Sequence, residues 1–238
     1  MSSAVESHVF ARIAEAAVQR EPFAHCVIDG IFPREFYESI VDEWPTEEAW
    51  LPLGESGRVG KGTYASRMVV LMNDAGYARL DEERRRFWVG EVGGWLLGTG
   101  LRRLLLEKFA DDLATAGFGA PLERTAGDAL LVSDRTRYKI GPHTDAQHRV
   151  VSLLFYLPED AAFRRFGTSF YVPRTASFRC RGGPHHPFAL FERVKTVEFV
   201  PNRLVIFPKT DRCFHGVEDV DLPGIERRLL IYNVRRTS

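Results

Sequence analysis

Apolar residues recur every three or four positions through most of the first half of the chain, a pattern typical of amphipathic helices. The predicted helical stripes cover residues 10–17, 36–44, 87–95 and 101–109. Pro33 suits the first turn of the second helix, and Asp81 is a candidate N-cap for the third. Short strands are predicted between them at 23–28 and 67–72, and the glycine-rich segment 50–62 is predicted to be a loop.

The second half changes to short runs of β-branched and aromatic residues bounded by Pro, Gly, Asp or Asn. The predicted strands are 129–133, 150–157, 169–172, 196–200, 204–207 and 229–234. Six strands without intervening helices indicate a sandwich or barrel. Because no linker or repeat separates the halves, we expect one α+β domain, mainly β, with helices packed on a β-sandwich. Residues 1–126 would be mainly helical support and 127–238 the core.

Composition narrows the possible partners and compartments. The 238 residues include 17 Phe, 7 Tyr and 4 Trp, an aromatic content that excludes a disordered chain. Lys plus Arg and Asp plus Glu are both 32, so no overall basic field favours nucleic acid or a membrane surface. Three widely spaced cysteines form neither a disulfide framework nor a zinc ribbon, which favours the reducing cytoplasm. We therefore expect a cytoplasmic protein with a small-molecule substrate and with no nucleic-acid or membrane partner.

The sharpest chemical signal is His143-Thr-Asp145. Residues two apart on an extended strand point to the same face, so the imidazole and the carboxylate can form two ligands of a divalent metal. His215, 72 residues later and just after a predicted strand, is the candidate third ligand. Two histidines and one carboxylate that leave coordination positions open are typical of non-haem Fe(II) oxygenases. A lone His-X-Asp is weak evidence, because a hydrogen-bonded surface pair has the same sequence.

Arginine heads the last predicted strand, twelve residues after His215. A buried guanidinium there could bind a carboxylate bidentately, as a 2-oxo acid bound to the metal would need. Neighbouring strand residues face opposite ways, so only one of Arg227 and Arg228 can serve, and Arg227 is preferred. Tyr138 could hydrogen-bond the same acid or only pack in the sheet.

Together these residues resemble the Fe(II)/2-oxoglutarate-dependent dioxygenases, in particular the prolyl-hydroxylase-like branch. The resemblance lies in His143-Thr-Asp145, His215 and Arg227 heading a strand, and it covers roughly residues 129–234. It implies a double-stranded β-helix, or jelly roll, with Fe(II) held by the two histidines and the aspartate. It further implies 2-oxoglutarate bound by Arg227, use of O₂, and hydroxylation or desaturation of a C–H bond with release of succinate and CO₂.

Two residues narrow the activity that this resemblance implies, and two alternatives to it remain. Asn233 stands where nucleic-acid demethylases of the superfamily carry a second arginine, which argues against nucleic-acid repair. Asp145 is present where related halogenases have a small residue. A cupin-like metalloenzyme that does not use 2-oxoglutarate, and a non-catalytic metal-stabilised binding module, remain alternatives. Substrate selectivity is expected in the segments 50–62, 75–80 and 174–192, and His185 and His186 would matter only if the last of these folds over the site. The oligomeric state cannot be read from the sequence.

Overall fold

The computed structural model describes residues 2–61 and 64–237. Its helices are α1 (Ser2–Glu15), α2 (Arg34–Asp42), α3 (Asp74–Tyr77), α4 (Glu82–Arg86), a π-helical segment (Phe87–Gly93), α5 (Gly94–Leu96), α6 (Thr99–Lys108) and α7 (Ala110–Thr115). Short 3₁₀ turns lie at Glu47–Ala49, Leu53–Glu55, Leu122–Arg124, Arg164–Phe166 and Phe188–Leu190. The strands are β1 (Cys26–Asp29), β2 (Leu51–Pro52), β3 (Arg67–Leu71), β4 (Thr125–Arg135), β5 (Ile140–His143), β6 (Arg149–Tyr156), β7 (Thr168–Pro173), β8 (Phe191–Val197), β9 (Arg203–Pro208), β10 (His215–Val217) and β11 (Glu226–Arg236).

Two antiparallel sheets face each other. The larger has seven strands in the order β1-β9-β6-β11-β4-β3-β2, and the smaller has four in the order β5-β10-β7-β8. Helices and strands make up 31% and 30% of the chain, so the predicted α+β class is confirmed. Within the described residues, no helix is long and apolar enough to cross a membrane.

Each face of the seven-stranded sheet has its own core. One face packs against the helices through residues such as Leu131, Phe155 and Tyr232, which join Trp88 and Leu105 in the largest apolar cluster. The opposite face packs toward the four-stranded sheet through a second cluster that contains Leu130, Leu229 and Ile231. Because successive strand residues point to opposite faces, odd-numbered β11 residues face the space between the sheets and even-numbered ones face the helices. The functional side chains lie in that space between the sheets.

Most predicted elements are present, with identifiable differences. Asp81 caps α4 by accepting a hydrogen bond from the Arg84 N–H at 2.9 Å, as predicted. The first helix ends at Glu15, and so excludes Ala17. The strand predicted at 196–200 instead runs from Phe191 to Val197, because it is an edge strand paired only with β7 and leaves polar residues exposed. The expected loop 50–62 contains β2 and a 3₁₀ turn, and its last residue, Gly62, lies outside the described residues.

A buried histidine packs between β1 and the smaller sheet, away from the predicted site. The His25 ring contacts the Phe23 and Phe170 rings at centroid distances of 5.9 and 4.8 Å. Its Nδ1 lies 2.8 Å from the Phe23 carbonyl oxygen and its Nε2 lies 3.1 Å from Lys195 Nζ. The neutral ring therefore donates through Nδ1 and accepts through Nε2, and burial lowers the pKa of His25 below its ordinary value.

Candidate metal centre and its cavity

Strand pairing brings the three predicted ligands together. β5 ends at His143 and β10 begins at His215, and the antiparallel register sets these two residues opposite each other. Their ring centroids are 4.4 Å apart, and Asp145 Oδ1 lies 4.0 Å from His215 Nε2. One potential ligand atom from each of the three residues lies within 4.8 Å of the other two, and all three residues are buried.

The histidine rings are oriented for metal binding by their own backbone. His143 Nδ1 lies 3.0 Å from the Gly141 carbonyl oxygen, and His215 Nδ1 lies 3.0 Å from the Cys213 carbonyl oxygen. When each Nδ1–H donates to its carbonyl, each Nε2 keeps a free lone pair for a metal. Burial lowers the pKa of both rings, and for His143 the facing His215 lowers it further. The neutral, ligating form is therefore favoured.

Asp145 is held by two donors. Arg149 Nη1 lies 2.7 Å from its Oδ1, and Ser152 Oγ lies 2.6 Å from its Oδ2. Burial alone would raise the pKa of Asp145, but Arg149 and the two histidines outweigh burial and keep the pKa well below its usual value. Ser152 Oγ also lies 3.0 Å from the Asn233 side-chain amide. Because the single Ser152 proton goes to Asp145, the amide orientation that satisfies both groups has Asn233 Nδ2 donating to Ser152.

Thr144, which lies between His143 and Asp145 in the sequence, is also held in place by hydrogen bonds. Thr144 Oγ1 donates to the Cys180 carbonyl oxygen at 2.8 Å and accepts from Lys209 Nζ at 2.8 Å. Lys209 is itself buried, with 2% of its surface exposed, and burial lowers its pKa. These contacts hold the His143–Asp145 turn against β9 and the long loop after β7.

A cluster of charged groups lies at the deep end of the same space. Arg227 Nη1 donates to Asp134 Oδ2 at 2.6 Å, and its Nε donates to the Phe166 carbonyl oxygen at 2.6 Å. Arg67 forms two further hydrogen bonds to Asp134, at 2.6 and 2.9 Å. Its guanidinium lies 4.3 Å from the centroid of the Tyr138 ring. Two arginines thus share one carboxylate, which leaves a net charge of +1 in a buried region.

Two buried polar atoms in this cluster have no partner among the described residues. These are Arg227 Nη2 and the Tyr138 hydroxyl, and both residues are at most 2% exposed. Burial raises the pKa of Tyr138 above its usual value, so the hydroxyl keeps its proton and is a donor. Buried donors without acceptors are rare in folded proteins, and two of them beside an excess positive charge fit a carboxylate ligand.

All five residues predicted for the site line one cavity of about 550 Å³. These are His143, Asp145, His215, Arg227 and Tyr138. Arg228 lies on the opposite face of β11, where it pairs with Glu159 and Glu226.

His185 and Tyr64 also line the cavity wall; the sequence indicated His185 only on condition that its loop folds over the site, and it did not indicate Tyr64. His185 packs its ring 4.7 Å from the His143 ring, and its Nε2 lies 2.8 Å from the Tyr64 hydroxyl. This contact joins the long loop after β7 to the loop before β3 across the cavity mouth. The only sequence signal was the His185-His186 pair, and the structure separates the two, since His186 packs against Phe178 and Phe191 instead.

Comparison with known proteins shows which solved structures share this fold. No protein-family model matches the chain, and no curated protein matches it in sequence. Among solved structures, the epimerase SnoN in complex with Fe³⁺, alpha-ketoglutarate and nogalamycin RO superposes with a TM-score of 0.53 at 14% identity, covering 98% of this chain and 84% of SnoN. A Pseudomonas putida prolyl-4-hydroxylase gives 0.51 at 13% identity, covering 97% of this chain and all of that one. The chain has the fold of the Fe(II)/2-oxoglutarate-dependent oxygenases.

This likeness shows a shared fold, and it agrees with the resemblance seen in the sequence. The carbocyclase SnoK from nogalamycin biosynthesis has the same fold, with a TM-score of 0.51 at 14% identity over 98% of this chain and 86% of that one. The donor set also fits the group that such oxygenases bind. Two neutral imidazoles and one carboxylate on one side of a cavity suit a non-haem iron ion, and the two unpartnered donors suit the carboxylate of an oxo acid.

Proposed function

We propose that the protein is an Fe(II)- and 2-oxoglutarate-dependent oxygenase that hydroxylates or desaturates a C–H bond of a small organic substrate, releasing succinate and CO₂. One observation carries the proposal. A single cavity contains a buried His-Asp-His triad and, at its deep end, the unpartnered donors of Arg227 and Tyr138. A metal site alone would not need these two donors, whereas a metal site that also binds a dicarboxylic oxo acid would.

Each of these residues has a distinct task in the proposed reaction. His143, Asp145 and His215 would hold Fe(II), and Arg227 with Tyr138 would bind the far carboxylate of 2-oxoglutarate. When bound, iron and 2-oxoglutarate together supply the oxidising power, with O₂ as the oxidant. The chain contributes orientation: the carbonyls of Gly141 and Cys213 set the imidazoles, and Ser152 and Arg149 set the carboxylate.

Electrostatics favours a carboxylate at the deep end. The Arg67 and Arg227 guanidinium groups contribute +2 and Asp134 contributes −1, which leaves +1 in a region where both arginines are largely buried. A buried charge without compensation is costly, so a carboxylate ligand there relieves an existing excess.

The strand order supports a finer description of the fold and of its domain division. From β4 to β11 the chain alternates between the two sheets except from β7 to β8, which are neighbours in the smaller sheet, and the resulting orders β9-β6-β11-β4 and β5-β10-β7-β8 support a double-stranded β-helix. We accordingly propose one domain, with a jelly-roll core at 127–238 and mainly helical support at 1–126. Because Cys26, Cys180 and Cys213 are free thiols, we also propose a reducing compartment such as the cytoplasm.

The test requires no substrate. Under anaerobic conditions, Fe(II) and 2-oxoglutarate are added to wild type, His143→Ala, Arg227→Lys and Tyr138→Phe, and the visible charge-transfer absorption of the iron chelate is measured. We expect absorption in wild type and none in His143→Ala. The 2-oxoglutarate concentration for half-saturation should rise roughly tenfold in Arg227→Lys, because the charge-assisted hydrogen bond from the unpartnered Nη2 is lost while Asp134 still attracts the new ammonium group. His8→Ala, on α1 and outside the cavity, is the control and should behave as wild type.

Two results would overturn the proposal. Iron-loaded, folded wild type without chelate absorption would favour a metalloenzyme of similar fold that does not use 2-oxoglutarate. If the 2-oxoglutarate concentration for half-saturation is unchanged in Arg227→Lys and Tyr138→Phe, the deep end does not bind 2-oxoglutarate. The observation that carries the proposal would then be lost.

A further inference from the structure

The cavity has a second positively charged end, which the proposed cosubstrate does not use. Every second residue of β11, from Arg227 through Leu229, Ile231 and Asn233 to Arg235, lines the cavity. Arg235 lies eight residues beyond Arg227, about 27 Å along an extended strand. Only three carbon atoms separate the two carboxylates of 2-oxoglutarate, so one molecule cannot occupy both ends.

Two like charges face each other at this outer end. Arg235 on β11 is the direct cross-strand partner of Arg149 on β6, and both line the cavity. Like charges directly opposite in an antiparallel pair are destabilising, so the pair favours an anion between or beside the two guanidinium groups. Arg235 is exposed and has no hydrogen-bond or ion-pair partner within the described part of the chain. Arg149 uses only Nη1, on Asp145, which leaves its Nε and Nη2 available.

The surrounding charges do not neutralise this pair. Asp128 is the other acidic side chain of the cavity wall besides Asp145, and Arg58 engages both of its oxygens. His148 lies beside the pair, and burial and both arginines lower its pKa, so the neutral ring is favoured and adds no charge. Arg58, Arg149 and Arg235 contribute +3 and the two aspartates −2, which leaves +1 before any metal ion is bound.

We infer that the substrate carries an anionic group, a carboxylate or a phosphate ester, which binds to Arg149 and Arg235. The inference rests on the proposed function, since it names the substrate class of the same cavity. Between the two charged ends, Leu130, Leu154 and Ile231 give the cavity wall an apolar surface. The carbon skeleton lies on this surface, while the anionic group fixes its direction relative to the triad through Arg149, which contacts Asp145.

The experiment uses three probes that share a phenyl ring: benzoate, benzamide (its neutral analogue of the same shape) and phenyl phosphate. Their dissociation constants are measured by calorimetry on the metal-free full-length protein, with and without 2-oxoglutarate. We expect benzoate to bind at least tenfold more tightly than benzamide, because a charge-assisted pair with arginine replaces a neutral contact. Arg235→Gln and Arg149→Gln should each weaken benzoate binding about fivefold or more. Arg85→Gln, an exposed α4 arginine outside the cavity wall, makes the same charge change and should have no effect.

The phosphate probe separates the two sources of the anionic group. Tighter binding of phenyl phosphate than of benzoate assigns a phosphate ester, and the reverse assigns a carboxylate. In Arg235→Gln the affinity for 2-oxoglutarate should stay at the wild-type value, which separates the outer end from the deep one.

Three outcomes would overturn the inference. Equal affinity for benzoate and benzamide would mean that charge is not recognised. Benzoate binding that 2-oxoglutarate displaces and that Arg235→Gln leaves unchanged would place the probe at the deep end. Loss of 2-oxoglutarate binding in Arg149→Gln, with no loss of benzoate binding, would assign Arg149 to the cosubstrate. These affinities are measured without iron, so a failure of the proposed function, seen as absent chelate absorption, is a separate result.

Discussion

Asp134 carries more of the stability of the site than any sequence motif indicates, and Asp134→Asn tests this directly. The carboxylate is fully buried and compensates two guanidinium groups, those of Arg67 and Arg227. Removing its charge leaves two buried cations close together while the side chain keeps its shape. Breaking a buried ion pair by removing one partner costs about 3–5 kcal/mol. For a chain of this size, each kcal/mol lowers the melting temperature by about 2–4 °C, so we expect a decrease of about 6–20 °C.

The free energy of unfolding is measured by urea titration with tryptophan fluorescence, and the midpoint is compared at constant slope. Asp128→Asn is the matched control, because Asp128 also pairs with an arginine of the cavity, Arg58, but both side chains are partly exposed. That pair should contribute about 1 kcal/mol or less. Added 2-oxoglutarate should stabilise Asp134→Asn more than wild type, since its carboxylate supplies a negative charge at the deep end. Equal losses in the two variants would refute the assignment of Asp134 as the buried counter-ion.

Three further perturbations probe other parts of the structure. Tyr138→Phe removes a buried hydroxyl that lacks a partner, so thermal melting should show unchanged or slightly higher stability, while calorimetry should show roughly fivefold weaker 2-oxoglutarate binding. The folded-state pKa of His25 lies below the ordinary value of about 6.5, so the unfolded chain is protonated first as the pH falls. The stability contributed by neutral His25 is therefore complete above about pH 6.5 and lost below it, and His25→Gln should flatten urea midpoints between pH 7 and 5. A Cβ at Gly216 would lie 2.6 Å from the Ile140 carbonyl oxygen, so Gly216→Ala should separate β10 from β5 and weaken metal binding at least tenfold in a competition assay. Gly119→Ala, where a Cβ meets nothing within 4 Å, should leave metal affinity unchanged.

The candidate metal ligands could be predicted from the sequence because their geometry is local or fixed by strand parity. His143 and Asp145 share a face through a two-residue spacing, and His215 follows the predicted strand at 204–207. The elements that carry them, β5 and β10, have only four and three residues, too few for a hydrophobic period to reveal. The residue types of the candidate ligands therefore predicted the site better than the hydrophobic pattern predicted the two strands that position them.

The charged cluster at the deep end could not be found in the same way. Asp134 lies one residue beyond the predicted strand 129–133, and Arg67 begins the predicted strand 67–72, so neither residue stands out in the sequence. Their contact depends on the register between β3 and β4, which sets Arg67 opposite Asp134. A shift of one residue would turn one side chain to the other face, and the hydrophobic pattern of a single chain does not show which residues of two strands are paired.

The contact between the two loops at the cavity mouth could not be predicted from the sequence, for a different reason. Of the segments expected to set selectivity, 174–192 contains His185, whereas Tyr64 lies just beyond the segment 50–62. The two loops meet through the contact between the Tyr64 hydroxyl and His185 Nε2. Neither loop has a periodic pattern, because the partner of each is the other loop rather than a regular surface. The contact between the two loops is defined only after the sheets have fixed the positions at which both loops begin.

Strand parity accounts for the arginines of β11 and connects the fold to both proposals. Odd positions face the cavity, so Arg227 and Arg235 stand at its two ends, one beside Asp134 and the other opposite Arg149. Even positions face away, so Arg228 pairs with Glu159 and Arg236 donates to the Gly119 carbonyl oxygen. A strand long enough to pass the triad can thus present one cation to a cosubstrate and another to a substrate, with an apolar surface between them. The same eleven-residue strand that lies at the centre of the larger sheet would then determine both which acid binds deep in the cavity and which charged group is held at its mouth.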